Sequence, residues 1–222
     1  MGYELDFGAL AQYLSLFVEG TAVTLGLTAA ASVLGLTLGV AGAAALRGRF
    51  QVLRRLVALY VELIRNTPFI VQMFFIFFGL PSLGLRLSAM TAAVLAMTVN
   101  LTAYATEIMR AGIDAVPAGQ REAGRALGLH ALPIFGLVVL PQALANVYPA
   151  LVSQVVITML ESAVVSQIAV VDLTHVADFI QSRNFRAFET YFVITAVYFA
   201  LAVAIRRVLA LGGRRLSGGR TA

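Results

Sequence analysis

The chain has 222 residues, 60% of them hydrophobic and only 12% charged, with a formal net charge of +5 and a mean hydropathy of +0.89. A water-soluble domain carries about 25% charged residues, so this composition excludes a soluble fold and predicts one all-α membrane domain over residues 1–222 with its core at 20–210. Every basic residue is arginine and cysteine is absent, which excludes the lysine-bearing phosphate loop of P-loop ATPases, a disulfide framework, thiolate metal sites and a cysteine nucleophile.

A bilayer core needs about 20 apolar residues of helix. Uncharged stretches at 20–46, 66–85, 87–106, 126–160 and 190–205 predict five transmembrane helices. The second starts near Leu56 and draws Glu62 and Arg65 into the membrane, and the fifth reaches full length if Arg206 and Arg207 snorkel to the interface. Glu4, Asp6 and Glu19 precede the first span, whereas Arg47, Arg49, Arg54 and Arg55 follow it. The positive-inside rule therefore puts the N-terminus outside and the C-terminus in the cytoplasm. Arg110, Arg121 and Arg125 then face the cytoplasm, as do Arg206, Arg207, Arg214, Arg215 and Arg220, while Arg86, Arg183 and Arg186 fall outside. The arginine surplus is thereby topology and not a nucleic-acid-binding face. With no basic residues before the first span, no cleaved signal peptide is expected.

Within the spans, interruptions mark the sites of interest. Gly35 and Gly39 form a GxxxG pair, extended by Gly42, that admits another helix closely, either inside the subunit or from a second one. In the second span Pro68 removes a backbone donor, so the carbonyls near Ile64 and Arg65 lose their helical partners. Irregular backbone at membrane depth persists only where protein or a water-filled cavity covers it. Glu62 and Arg65, three apart, either neutralise one another or leave Arg65, Asn66, Thr67 and Gln72 to line a polar site. Asn100 lies near the middle of the third span with Thr102 and Tyr104 close by, where its amide suits an interhelical hydrogen bond. Pro141 and Pro149 are expected to bend the fourth span, which runs into Glu161 and Ser162; an acid there is interfacial or placed for function. His175 reads as a loop histidine, and no residue spacing suits a metal.

Between the third and fourth spans, Pro117 and Gly128 suit the start and end of a helix of two to three turns at about 117–128. Arg121 and Arg125 share a face, and Glu122 is spaced to pair with Arg125. The segment reads as a positive-inside loop or as a short helix shaped to dock into a partner's groove.

Three blocks on this chain carry a family resemblance. Glu122-Ala123-Gly124, Gly128, Phe135 and Val138 to Pro141 resemble the EAA motif of ABC importer permeases. Glu62-x-x-Arg65-Asn66-Thr67-Pro68-x-x-x-Gln72 and Asn100-x-x-Ala103-Tyr104-x-x-Glu107-x-x-Arg110 are similar to the polar amino acid branch, the histidine, glutamine and arginine permeases. Gly124 replaces a second alanine, and Leu160-Glu161-Ser162-Ala163 stands where the branch often has Lys-Asp-Thr-Ser, keeping the acid and hydroxyl without the basic residue. The resemblance implies a type I ABC importer permease (MetI-like) fold in the bacterial inner membrane. It implies two ATPase subunits holding ATP and Mg, a second permease chain that is identical or paralogous, and an extracytoplasmic amino-acid-binding protein. The chain itself would hold no cofactor and no catalytic residue. Gln120, Arg121, Glu122, Ala123, Gly124, Arg125 and Gly128 would form the ATPase contact on the coupling helix.

A zwitterionic substrate needs fixed partners at the midplane. Arg65 or nearby backbone donors are expected to face the carboxylate and Glu161 an amino group or cationic side chain, helped by Asn100, Thr67, Gln72, Tyr104 and Ser162. A lone membrane enzyme or channel is the competing class. Neither histidine lies in a span core to serve as a base, and no filter motif repeats.

Overall fold

The computed structural model describes residues 4–216, with side chains as far as Gly213. Arg220 lies outside the described residues, and Arg214 and Arg215 are described by backbone alone. Among the described residues every regular element is helical. A 3-10 segment, Phe7–Tyr13, leads into α1 (Leu14–Leu46). Then come α2 (Gln51–Arg65) and α3 (Phe69–Phe74), the latter prolonged by a π turn and a 3-10 turn as far as Leu83. Next are α4 (Ala89–Asp114) and the short α5 (Ala118–Ala126). A three-residue α6 (Ala131–Pro133) opens through a π segment, Ile134–Val139, into α7 (Leu140–Glu161) and a 3-10 extension, Ser162–Ile168. The remaining helices are α8 (Leu173–Asn184) and α9 (Ala187–Leu216).

Four helical stretches are long and apolar enough to cross a membrane: Phe7–Leu46, Ala89–Asp114, Ala131–Ile168 and Ala187–Gly213. The expected second span is not one helix. It breaks between Arg65 and Phe69 and is bent there by 113°, so it makes a fifth span only if the bent pair counts as one. The cause is Pro68, extended at ψ 139°, which has no N–H to continue α2. The uncharged-residue count could not register this, because counting charges says nothing of the direction in which the chain runs. Pro141 is absorbed differently: it sits in the first turn of α7, directly after the π segment, where a missing donor is tolerated. The Gln142 side chain donates to Val138 O at 2.8 Å in the same turn.

The pairing of α1 with α4 forms the centre of the molecule. Gly35 and Gly39 allow it: a Cβ at Gly35 would lie 2.8 Å from Leu101 Cγ, and one at Gly39 would lie 2.5 Å from Ala105 Cβ. The small-residue stripe is therefore used inside the subunit. Gly112 on α4 does the same for α7, with Val147 and the Ala143 carbonyl in the way of any Cβ. Three apolar clusters follow from these contacts. One joins α4 to α3 and the 3-10 extension of α7, one joins the far half of α4 to α7, and one ties α1 to α8 and α9.

His175 stands in the first turn of α8 and not in a loop, because Asp172 caps that helix by accepting the His175 N–H at 2.9 Å. Asp172 is fully buried, and the Tyr198 hydroxyl donates to it at 3.2 Å. Burial pushes its carboxyl above the usual aspartate range, opposed by the hydrogen bonds from His175, Thr174 and Tyr198. A carboxyl raised on folding contributes stability that is full below its unfolded pKa and lost as pH rises through the folded one. Asp172→Asn, which preserves the cap, should therefore flatten the fall in melting temperature on going upward from the ordinary aspartate range. Parallel pH–melting curves for variant and parent would refute this account.

Candidate substrate and coupling sites

The sequence-predicted polar residues fall into three groups. At the arginine-rich end of the spans, Arg65 Nη1 lies 3.9 Å from Glu107 Oε2, and its guanidinium stands 5.6 Å from the centre of the Tyr104 ring. Glu107 is gripped more tightly by Arg110, which also reaches Asp114 at 3.2 Å; Asp114 in turn pairs with Arg47. Of the two readings of Glu62 and Arg65, mutual neutralisation is not found among the described residues: Arg65 is directed to Glu107 and Tyr104 of α4 instead. Glu62 nonetheless lines the same cavity of about 530 Å³ with Arg65, Asn66, Tyr104, Glu107 and Arg110. Glu107 and Arg110 were legible as part of a motif, but their role in this charged ladder was not. The signal for it was the spacing of 107, 110 and 114 on one helical face.

A second group repairs the break. Gln72, which is buried, donates from Nε2 to Ile64 O at 2.8 Å, Thr67 O at 2.9 Å and Thr67 Oγ1 at 2.9 Å. Its Oε1 accepts from Asn100 Nδ2 at 3.0 Å. Pro68 has no N–H to offer Ile64 O, which takes this side-chain amide beside longer contacts from Thr67 N at 3.4 Å and Thr67 Oγ1 at 3.3 Å, and α4 holds the amide in place. Thr67 also returns its hydroxyl to Leu63 O at 2.9 Å. Tyr60, donating to Val99 O at 2.5 Å, fastens α2 to α4 as well.

The third group is Glu161 with Ser162, at the junction of α7 with its 3-10 extension. Ser162 is buried and donates to Met159 O at 2.7 Å, and Glu161 is half-buried with no ion pair among the described residues. Helices α4 and α7 run antiparallel, with Gly112 against Ala143 and Val147 and the first turns of α4 clustered with Val165 and Ile168. At 1.5 Å of rise per residue this sets Glu161 and the Arg65–Glu107 pair on the order of 15 Å apart along the helices. One amino acid cannot touch both at once within this subunit.

Helix α5 starts at Ala118, with Pro117 as its cap, and ends before Gly128, whose φ of +75° is the left-handed closing geometry. Gly124 is buried against Ile134, 2.9 Å from where a Cβ would sit, so the small residue lets α5 lie flat on the base of α7. Arg121 Nη2 donates to Ile113 O at 2.8 Å. The expected Glu122–Arg125 pair is absent: Glu122 has no ion pair among the described residues and, with Gln120 and Ala123, faces outward, exposed.

Residues 22–218 match the family described as binding-protein-dependent transport system inner membrane component. The chain belongs to this family. The arginine transport system permease protein of Bacillus subtilis is 32% identical over 202 residues, covering 90% of this chain and 92% of that one. A solved amino acid ABC transporter crystallised with histidines superposes with a TM-score of 0.87 at 39% identity, covering 96% of this chain and 100% of its own. A methionine ABC transporter in inward-facing form shares the fold at 21% identity and a TM-score of 0.74, over 96% of this chain and 99% of that one. As a family member this is a multi-pass inner-membrane permease subunit of an ABC importer, with the fold of the MetI-like type I permeases. It works with a separate ATPase and a substrate-binding protein and has no ATPase site of its own.

Proposed function

We propose that this chain moves polar, and by preference basic, amino acids inward by alternating access, with its N-terminus outside and its C-terminus in the cytoplasm. The observation that carries this reading is the 39% identity to a solved amino acid transporter over 96% of the chain. Two permease chains and two ATPase subunits make up the complex, and ATP with Mg binds to the ATPases. The exposed residues of α5, Gln120, Glu122 and Ala123, form the face that the ATPase grips. Gly124 and Gly128 shape the helix that carries them, and Arg121 and Arg125 flank it. Moving a two-state equilibrium from 1:99 to 99:1 takes about 5.5 kcal/mol. The nucleotide supplies that energy and α5 transmits it.

Along the path, substrate meets charges in sequence. Glu161, with no ion pair among the described residues, receives the ammonium or a cationic side chain, beside a helix turn held by Ser162. Arg65, 3.9 Å from Glu107 and so too far for a good hydrogen bond, is able to exchange that carboxylate for the substrate's, with Tyr104 backing its guanidinium. Thr67, Gln72 and Asn100 hold the broken helix that positions Arg65. In the complex reconstituted with its ATPase and binding protein, Glu161→Gln should lower uptake and amino-acid-stimulated ATPase by roughly tenfold or more, the scale of a lost charged hydrogen bond. Unchanged stimulation in that variant would remove Glu161 from the path.

A further inference from the structure

We propose that the recess framed by Arg47, Arg121 and Arg125 is a binding site for an anionic phospholipid, holding its phosphate among the guanidiniums and its upper acyl chain against Phe135. The recess measures about 280 Å³, and no carboxylate lines it. Arg47 comes from the end of α1, while Arg121 and Arg125 project from successive turns of α5. Two of the three are held ready: Arg47 by Asp114 and Arg121 by Ile113 O at 2.8 Å. Each guanidinium has five N–H donors, so these contacts leave others free. Arg125 has no ion pair among the described residues. Burial, followed by the proximity of Arg121 and Arg110, lowers the Arg47 pKa.

The other half of the lining decides the class of anion. Phe135, half-buried and backed by the core residues Ile134 and Val139, belongs to the membrane-spanning stretch Ala131–Ile168, so an apolar wall begins where the arginines stop. A soluble phosphate gains nothing from that wall, whereas a phospholipid presents charge and hydrocarbon in the same order. Basic pockets between helix ends are the general form of headgroup recognition, and arginine is suited to phosphate. The site also leaves the outward face of α5 free. Arg121, Gly124, Arg125 and Gly128 recur at helical spacing on one side, and Gln120, Glu122 and Ala123 remain exposed for another partner.

Native mass spectrometry of the full chain in neutral detergent tests this with dioleoyl phosphatidylglycerol, dioleoyl phosphatidylcholine and inorganic phosphate. Phosphatidylglycerol should bind in preference to phosphatidylcholine. Arg125→Gln should weaken it about fivefold, the worth of one arginine near a lipid surface, with phosphatidylcholine unaffected. On the unsubstituted chain, phosphatidylglycerol with a diazirine high on its acyl chain should label Ile134–Val139, a readout independent of any variant's folding. Equal retention of the two lipids, labelling spread over other helices, or displacement by equimolar phosphate would each overturn the proposal. So would expulsion of the lipid on adding the ATPase subunits, which would assign the arginines to that contact.

Discussion

Gly39→Leu is expected to lower the stability of the protein sharply. A Cβ at this position would lie 2.5 Å from Ala105 Cβ and 3.1 Å from the Ala105 carbonyl carbon, so part of the obstruction is backbone and cannot swing aside. Overpacking a well-filled core costs about 1–3 kcal/mol and occasionally more. A whole leucine in the central helix pair belongs at or above the upper end of that range. Gly26 supplies the control, because nothing lies within 4 Å of a Cβ built there; Gly26→Leu keeps the same chemistry and should be nearly neutral. The check is a thermal unfolding series in detergent on both variants. Equal melting temperatures for the two would show that α1 and α4 do not meet along this stripe.

Gln72→Leu is the second large effect. It removes the donor serving Ile64 O and Thr67 O and the acceptor serving Asn100 Nδ2. Ile64 O keeps its longer contacts from Thr67 N and Thr67 Oγ1, whereas Thr67 O and Asn100 Nδ2 lose this partner; a buried polar group left unpartnered costs about 1–3 kcal/mol, and an interhelical side-chain bond in a membrane averages only about 0.6 kcal/mol. The loss should therefore come mostly from the break at Pro68 and less from the Gln72–Asn100 bond. A double-mutant cycle with Asn100→Leu separates the two: the coupling energy should be small beside the single-variant cost of Gln72→Leu. A melting temperature indistinguishable from that of the parent would mean that water, and not Gln72, satisfies those carbonyls. Substrate-stimulated ATPase should fall with stability here, since the same break carries Arg65 to the cavity.

The sequence alone was enough for the membrane class, for the family resemblance now borne out, and for the place where the second span would fail. Charge-free length, glycine spacing and a proline in an apolar run are local properties, and local backbone physics acts on them directly. It also supplied the short helix closed by Gly128, because a left-handed φ is a demand on one residue. Pairing was beyond it. Glu62 and Arg65 are spaced to meet on a helix, yet α2 packs against α4 and the guanidinium turns to Glu107 there. Glu122 and Arg125 are spaced to meet as well, but Glu122 faces outward without an ion pair and Arg125 lines the recess beside Arg47.

The same division applies to the candidate site. Arg65, Gln72, Asn100 and Glu161 could be singled out one by one, because a polar group in an apolar stretch is costly wherever it lies. Their sorting into a charged ladder, a repaired break and a lone acid on the order of 15 Å away along the helices came only from how α4 packs against α1, α2 and α7. Periodicity says which residues share a face of one helix. It carries no information on which helix that face meets, how far the two slide along each other, or whether a donor on one reaches an orphaned carbonyl on the next. Those were decided by the close approach at Gly35, Gly39 and Gly112, where the absence of a side chain fixes helix against helix.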